Sequence, residues 1–463
     1  MMESTMSTHT INTPNPSVAK LPVAIVGAGP IGLVAAAHLV ARGETPIVLE
    51  AGELVASSIR QWSHVRLFSP WRYLVDPTAV ELLESAGWEM PAPDELPTGG
   101  EFVNRFVEPL ASLPALAPHI RLRHRVLAIS RHGHDKVKSS GRADAPFELV
   151  LDVDGRTERI RARAVIDASG TWNTANPLGA NGLPAIGEIE NRKRIRYAIP
   201  DVAQRDRAQY VARRTLVVGS GHSAFNAVID LAALAQQQAS GTVTWAIRRT
   251  DVGLLFGGGE KDGLEARGAL GTKLQRLVES GQVTLIKGFG LDRIDAVDAG
   301  LIVTSDDRRS IATDEIVATT GFRPDLAITR ELRLRLDPWL EAPEALAPLI
   351  DPNVHSCGTV YPHGAVELAH PESDFYTVGM KSYGRAPTFL LLTGYEQVRS
   401  VACALTGDEQ GAREVRLVLP ETGVCQTDLG GGSCCDDSSS RVGAGSDCGC
   451  GASAGESGDS GCC

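Results

Sequence analysis

The sequence lacks the features of a membrane or secreted protein. No apolar run approaches the roughly 20 residues that a transmembrane helix needs. Residues 1–20 are rich in Ser, Thr, Asn and Pro, and they contain no apolar stretch like the core of a signal peptide. We therefore expect a disordered leader over residues 1–20, no membrane partner and a cytoplasmic location.

Positive charge is also scarce. The chain carries 45 Lys and Arg against 56 Asp and Glu, which gives a net charge of −11 at pH 7. A protein of this charge repels nucleic acids and anionic membranes, so neither is an expected partner. The 463 residues suffice for two or three domains. A hydrophobic fraction of 43% together with 48 glycines is typical of an α/β protein rich in tight turns.

Cysteine is nearly absent from residues 1–420, where only Cys357 and Cys403 occur among the nine of the chain. From residue 421 the composition changes to Gly, Ser, Cys and Asp, which is too polar to form a packed core, so we predict a disordered tail over 421–463. The tail contains vicinal or near-vicinal thiol pairs at Cys434, Cys435, Cys448, Cys450, Cys462 and Cys463. Thiolates suit soft metals and metalloids such as arsenite, so these six are candidate ligands. The alternative is a tail without a role.

The chain does contain two glycine fingerprints. Residues 27–32 read GAGPIG and residues 219–224 read GSGHSA, and each follows an apolar stretch. In such a strand–turn–helix unit the first glycine allows a tight bend, the second lets the backbone approach a pyrophosphate, and the third lets the helix pack on the strand. The helix N-terminus then offers free N–H groups to the anion. Each fingerprint predicts a dinucleotide site, and the alternative is a tight turn in an ordinary βα unit.

The next strand ends differently in the two units. In the first, Glu50 follows the fingerprint at about the 20-residue spacing at which an acid binds a ribose hydroxyl. In the second, Arg248 and Arg249 stand there, and guanidinium groups pair with a phosphate that a carboxylate would repel. We therefore predict FAD or NAD at the first site and NADPH at the second. The alternative for the arginines is a solvated surface pair, and His222 is interpreted as a turn residue near the pyrophosphate.

Further residues carry a family resemblance. Residues 168–170 (ASG) close the first unit and residues 318–324 (ATTGFRP) close the second. With the two fingerprints, they make residues 21–420 resemble the flavoproteins that have two dinucleotide-binding domains, and among these the class B and N-hydroxylating monooxygenases. The whole chain, tail included, is similar to flavin monooxygenase-like proteins encoded in bacterial arsenic-resistance gene clusters.

The resemblance implies an α/β fold class with two Rossmann-like dinucleotide-binding domains, in which an NADP domain interrupts the FAD domain, and a disordered Cys-rich tail. The implied domain boundaries follow the chain in order. They are a leader at 1–20, a first FAD-binding segment at 21–175, an NAD(P)H-binding domain at 176–325, a second FAD-binding segment at 326–420, and a tail at 421–463.

The resemblance also implies which residues contact the cofactors. FAD is expected at Gly27, Gly29, Pro30, Gly32, Glu50, Ser169 and Gly170, and NADPH at Gly219, Gly221, His222, Ser223, Arg248, Arg249, Thr320 and Gly321. Ser69 and Trp71 fall where relatives place residues beside the flavin ring. For these two the alternative is an ordinary core segment with a turn.

The implied activity is a flavin-dependent oxidation. NADPH passes hydride to the flavin, and O2 then supplies one oxygen atom to a small, soft nucleophile. With the thiol pairs of the tail, the expected substrate is a trivalent arsenical and the expected role is arsenic resistance.

The chain departs from the family patterns in three places. No clear copy of the F-x-G-x-x-x-H-x-x-x-W/Y monooxygenase signature lies between the fingerprints. Residues 378–381 read VGMK where many disulfide-reducing relatives have Gly-Asp. No C-x-x-C lies near either turn, so we expect no dithiol relay in the body of the chain, residues 21–420. Two alternatives remain, an NADPH-dependent reductase of a disulfide or metal–thiolate held by the tail, and a non-enzymatic metal-sequestering protein.

Overall fold

The fold is described from a computed structural model over residues 18, 20–238, 240–252, 255–256, 265–355, 362–387 and 389–417. These residues fall within one compact unit, Met1–Asp428. The six candidate cysteine ligands, Cys357 and nearly all of the expected leader lie outside the described residues.

Sixteen strands are described. In chain order they are β1 Val23–Val26, β2 Pro46–Leu49, β3 Ile120–Arg121, β4 His124–Arg131, β5 Phe147–Val153, β6 Arg156–Ala162, β7 Ala164–Asp167, β8 Ile195–Arg196, β9 Arg214–Val218, β10 Thr242–Ala246, β11 Val283–Ile286, β12 Leu291–Val297, β13 Gly300–Ser305, β14 Ser310–Thr313, β15 Glu315–Ala318 and β16 Phe375–Thr377.

The α-helices of the described residues are α1 Pro30–Ala41, α2 Ser57–Arg60, α3 Pro77–Glu84, α4 Gly99–Phe102, α5 Glu108–Ser112, α6 Arg207–Tyr210, α7 His222–Gln238, α8 Glu265–Glu279, α9 Ala347–Ile350, α10 Leu391–Leu405 and α11 Glu409–Arg413. A π-helical segment, Val103–Val107, joins α4 to α5, and short 3₁₀ turns lie at Trp71–Tyr73, Ala117–His119, Arg192–Arg194, Ala327–Thr329 and Gly379–Tyr383.

Two parallel five-stranded sheets have matching layouts. The first has the order β16-β7-β1-β2-β3 and the second the order β11-β10-β9-β15-β8, so the strand before each glycine fingerprint is central. The central strands are apolar because they are covered on both faces, as parallel strands require. Ligands bind such sheets at the carboxyl ends of the strands. This architecture confirms the predicted α/β fold class with two Rossmann-like units.

The first sheet is discontinuous in sequence. Its edge strand β16 pairs in parallel with β7, with Phe375 opposite Val165, although the whole second sheet lies between them in the chain. Helix α1 lies in the core of this unit and is buried along most of its length, so its apolar residues do not form a single stripe.

Two antiparallel three-stranded sheets, β4-β5-β6 and β12-β13-β14, flank the parallel ones. The Asp154-Gly155 pair predicts a hairpin, because Asp-Gly favours a tight turn with positive φ angles. The turn between β5 and β6 has φ angles of 49° at Asp154 and 80° at Gly155, which confirms this prediction.

Local differences from the sequence expectation have identifiable causes. The sequence of residues 121–129 predicts one strand, but the structure divides it between β3 and β4, because Arg123 takes a positive φ of 58° and turns the chain from one sheet to another. Residues 173–212 read in sequence as a connection between the two units, yet they supply strand β8, which pairs with β15 at the edge of the second sheet. A two-residue edge strand has too little periodicity to be read from sequence.

Candidate functional site

The first fingerprint turn has the geometry expected of a pyrophosphate cradle. Gly27 has a φ of +99°, and a Cβ there would lie 2.8 Å from the Ala168 carbonyl oxygen. A Cβ on Gly32 would lie 2.0 Å from the Gly27 carbonyl oxygen, so only glycine allows this approach of helix to strand. A Cβ on Gly29 would meet nothing within 4 Å. Space is therefore open at the position where the backbone would face a phosphate.

Helix α1 begins at this open space. Its N-cap is Gly29, Pro30 stands at the first turn, and no side chain caps the helix or places an acid in that turn. The first N–H groups and the positive end of the helix dipole are thus free for an anion. The residues present fit the pyrophosphate of a dinucleotide.

Glu50 is nearly buried and closes the turn. Its carboxylate accepts hydrogen bonds from the backbone N–H groups of Ala28 and Gly52 and from the hydroxyl of Ser57, each at 2.8 Å. Gly52 lies in the loop that follows β2 and Ser57 begins helix α2, so Glu50 joins both to the fingerprint. A carboxylate has about four acceptor positions, so one stays available for a ribose hydroxyl.

The second turn follows the same plan. Gly219 has a φ of +134°, and a Cβ there would lie 2.4 Å from the Thr319 carbonyl oxygen. A Cβ on Gly221 would meet nothing within 4 Å, and the methyl group of Ala224, the third position, is fully buried. Ser223 is exposed at the start of α7. This turn also leaves open space in front of a helix N-terminus.

His222 joins the second turn to residues 61–73 of the first unit, a stretch dense in aromatic side chains that we call the aromatic segment. Its ring lies 5.4 Å from the ring of Phe68 and 5.4 Å from that of Phe225, measured between centroids. Phe68 directly precedes Ser69, one of the two residues expected beside the flavin. The aromatic segment therefore contacts the place where the second dinucleotide is expected.

The two candidate flavin-lining residues have different environments. Trp71 is completely buried, and its ring packs 6.1 Å from that of Phe102 with the guanidinium of Arg105 over it. This packing fits the alternative of a core residue. Ser69 is only half-buried.

Arg248 and Arg249 follow β10 at its carboxyl end. The exposed Arg248 donates from Nη1 to the Ala180 carbonyl oxygen at 2.9 Å. Arg249 is half-buried, and its carbonyl oxygen accepts from the N–H of Gly288. Arg248 thus ties the loop around residue 180 to the end of β10.

Ser169, Gly170, Thr320 and Gly321 lie where the chain crosses between the two sheets. The Thr320 hydroxyl donates to the Asn176 carbonyl oxygen at 2.7 Å, and the Asn176 N–H donates to the Gly321 carbonyl oxygen at 2.9 Å. Gly321 has a φ of +88°, which favours glycine. The crossing is thus a hydrogen-bonded pair of segments rather than a loose linker.

A buried ion pair lies beneath the first site and was missed by the sequence reasoning. Lys381 Nζ lies 2.7 Å from Asp167 Oδ2 and 3.0 Å from Ser169 Oγ, and both charged side chains are almost fully buried. The Ser169 hydroxyl donates to Asp167 Oδ1 at 2.6 Å. The available signals were a charged residue at the end of an apolar strand, and a lysine directly after Met380, which stands where disulfide-reducing relatives have the Asp of Gly-Asp.

Among the described residues Cys403 is the single cysteine, and it is buried. Burial raises the pKa of its thiol, and the guanidinium groups of Arg42 and Arg399 lie beside it. Within the described ranges no group of three or more His, Cys, Asp or Glu side chains could hold a metal ion. The described body therefore offers no dithiol. None of the described helices is both long and apolar enough to cross a bilayer.

Comparison with curated proteins gives one short likeness. No family model matches the chain. A stretch of 62 residues is 37% identical to the nitric oxide reductase FlRd-NAD(+) reductase of Shigella boydii, and it covers 13% of this chain and 16% of that protein. The chain thus matches only about a sixth of that relative's length.

Solved structures show the fold over most of the chain. A bacillithiol disulfide reductase from Bacillus cereus matches with a TM-score of 0.61 at 17% identity, over 84% of this chain and 99% of that one. A cadaverine monooxygenase from Erwinia amylovora, solved with FAD, matches with a TM-score of 0.59 at 13% identity. The match covers 88% of this chain and 99% of that one. A flavin-containing monooxygenase from Stenotrophomonas maltophilia matches with a TM-score of 0.53 at 20% identity. The match covers 83% of this chain and 98% of that one. The chain has the fold of these flavoproteins.

Proposed function

We propose that this protein is an FAD- and NADPH-dependent oxidoreductase. The observation that carries the proposal is the pair of glycine turns, since each leaves open space at its second glycine, directly in front of a helix N-terminus. The fold likeness to reductases and monooxygenases supports it, as does the short likeness to an NAD(+) reductase. Residues 21–175 and 326–420 would form the FAD domain and residues 176–325 the NADPH domain.

The first site would hold FAD. The free N–H groups at the start of α1 would bind its pyrophosphate, and Glu50 would accept from its ribose. Ser169, fixed by Asp167 and Lys381, would stand at the rim of the same cleft. When bound, FAD supplies a two-electron carrier that takes hydride from a nicotinamide and passes the electrons on.

The second site would hold NADPH. The N–H groups of Ser223 and its neighbours would bind the pyrophosphate, and Arg248 and Arg249 would bind the 2′-phosphate. The arginines would select NADP(H) over NAD(H) at the second site, because only the former carries a 2′-phosphate. NADPH bound there would be the hydride donor and the flavin the acceptor.

As the overall reaction we propose a monooxygenation. One NADPH, one proton and one O2 are consumed for each substrate molecule, one oxygen atom enters the substrate, and the other leaves as water. The absence of a dithiol from the described body supports this choice over disulfide chemistry at the flavin. The thiol pairs of the tail favour a soft nucleophile, a trivalent arsenical, as substrate and arsenic resistance as the role. A cytoplasmic location remains a prediction from the sequence.

The test is anaerobic reduction of the purified, FAD-loaded protein. NADPH should bleach the yellow flavin absorbance, and NADH should do so more slowly. Admission of air should restore the absorbance, and arsenite or an organic sulfide should then yield an oxygenated product. A flavin that stays oxidised under NADPH refutes the proposal, and a protein that binds no flavin favours metal sequestration.

The tail cysteines favour one second candidate, a reductase of a disulfide or metal–thiolate. A full-length variant with Ser in place of the six paired tail cysteines separates the two. Retained O2-dependent NADPH consumption supports the monooxygenase, and loss of all turnover supports the reductase.

A further inference from the structure

A cleft of about 570 Å³ lies beside the crossing between the two units. One wall comes from the crossing segment at Trp172 and Thr174, another from Gln61 of the first unit, and a third from Arg196 and Tyr197 at the end of β8. Because β8 runs parallel to β15 and β15 to β9, this end of β8 points to the same sheet edge as the second glycine turn. The cleft is therefore placed where the two dinucleotide units meet.

The cleft is positively charged. Three guanidinium groups line it, those of Arg192, Arg196 and Arg323, and its lining includes a single acid, Glu188. The Glu188 carboxylate is nearly buried and already accepts from the N–H groups of Leu178 and Ala185. The Tyr197 hydroxyl donates to it as well. Glu188 is thus used in holding the cleft wall, and the three cations are not neutralised from within the cleft.

The three arginines have different partners. The guanidinium of Arg192 lies 4.7 Å over the ring of Tyr197, which holds it flat against the wall. The Nε of Arg196 is buried and has no hydrogen-bond partner among the described residues, and its Nη2 lies 3.9 Å from Asp206 Oδ2 in a long ion pair. Arg323 is tied to the crossing by its backbone N–H, and within the described residues its side chain has no ion-pair partner.

The rest of the lining is flat and apolar. The indole of Trp172 is held by stacking on Phe322, 4.9 Å away and inclined by 28°. Pro177, Pro184 and Ile189 complete this side. The volume is in the range of pockets that enclose organic molecules, and it is far larger than arsenite alone would fill.

We propose that this cleft binds the oxygen acceptor, and that the acceptor is an organic anion in which a planar apolar body carries a carboxylate or similar oxyanion together with the soft atom. This rests on the proposed monooxygenase function and narrows its substrate class. Arg192, Arg196 and Arg323 bind the oxyanion through charge-assisted hydrogen bonds, and Trp172 packs against the body. The acceptor then lies between the two units.

The test uses two sulfides that differ by one carboxylate group, 4-(methylsulfanyl)benzoate and methyl phenyl sulfide. Their binding to the oxidised, FAD-loaded protein is measured by titration calorimetry without NADPH, so the result does not depend on turnover. The anionic sulfide should bind about tenfold or more tightly than the neutral one, the usual value of a charge-assisted hydrogen bond. Arg323→Gln and Arg192→Ala should remove most of this preference, whereas Arg156→Gln, an exposed arginine on β6, should keep it.

Several outcomes overturn the proposal. They are equal binding of the two sulfides, binding of neither at millimolar concentration, and an unchanged preference in the arginine variants. A loss of NADP+ affinity in Arg323→Gln that equals its loss of sulfide affinity would assign the cleft to the dinucleotide instead. If Arg192→Ala fails to fold for lack of its Tyr197 contact, Arg323→Gln decides alone. Failure of NADPH to reduce the flavin, with the sulfide preference intact, would refute the proposed function and not the site.

Discussion

The ammonium group of Lys381 lies 2.7 Å from the carboxylate of Asp167, and neither side chain is exposed to solvent by more than 2%. The pair joins the end of β7 to the 3₁₀ turn after β16. It also holds Ser169, whose backbone lies against Gly27 of the first turn. The pair therefore ties three separate regions of the chain together at the rim of the first site.

Removal of one member of this pair should be strongly destabilising. Lys381→Met leaves the carboxylate of Asp167 buried and unpaired, which costs about 3–5 kcal/mol of unfolding free energy. The double variant Asp167→Leu, Lys381→Met should recover most of this loss, since it leaves no buried charge. Urea unfolding measures both, with Lys193→Met, an exposed lysine, as the control. A single variant no less stable than the control contradicts the buried-pair argument.

The glycines of the first turn should separate stability from cofactor binding. Gly29→Ala adds a methyl group to open space at an ordinary φ of −77°, so the protein should fold normally and bind FAD more weakly. Gly32→Ala puts a methyl group 2.0 Å from the Gly27 carbonyl oxygen, so the fold itself should suffer. Thermal unfolding and FAD titration measure the two effects. Unchanged FAD affinity in Gly29→Ala would refute the assignment of the FAD pyrophosphate to this turn.

Arg248 and Arg249 should determine the choice between NADPH and NADH. Loss of the charge-assisted bonds to a 2′-phosphate costs about 1.5–3 kcal/mol, so the double alanine variant should raise KM for NADPH about tenfold or more and leave KM for NADH nearly unchanged. The double lysine variant keeps the charge without the bidentate geometry, so its KM for NADPH should lie between those of the unchanged protein and the double alanine variant. Steady-state kinetics with both dinucleotides decides, and an unchanged NADPH preference in the alanine variant refutes the assignment.

Stability should fall on mild acidification because of His370. Burial lowers the pKa of this imidazole to about 4, while its unfolded value is about 6.5. Between these values the unfolded chain binds the extra proton and the folded chain does not, so the contribution of His370 is complete above about pH 6.5 and is lost as the pH falls toward 4. Unfolding free energies measured across this range should show a smaller pH slope in His370→Asn, which can still accept from the N–H of Arg335. Equal slopes in the two proteins would contradict the prediction.

The sequence predicted the elements of the fold that local rules determine. The two fingerprints could be read because glycine is required where the backbone turns at positive φ or approaches itself closely, as at Gly27 and Gly32. The Asp154–Gly155 hairpin could be read for the same reason. Glu50 could be found by its spacing, but its three hydrogen-bond donors could not, because they depend on how the next loop folds back.

The features that were missed depend on contacts between distant residues. Lys381 and Asp167 are over 200 positions apart, and nothing in their neighbours indicates that they meet. The cleft at the crossing needs Gln61, Trp172 and Arg196 to converge, which follows only from the packing of the two units. The environment of Trp71 likewise depends on Phe102 and Arg105, which approach it from another helix.

The pairing of β16 with β7 has a consequence for how the protein is made. Strand β7 is fully buried, yet its partner on one side emerges from the ribosome only after the entire second sheet has been synthesised. Until then the nascent first sheet has an open, apolar edge, which is the kind of surface that invites wrong pairing. The strands of the second sheet all lie between Ile195 and Ala318, so that sheet can close without waiting for later residues. During translation, the nucleotide unit that begins second is thus the one that can finish first.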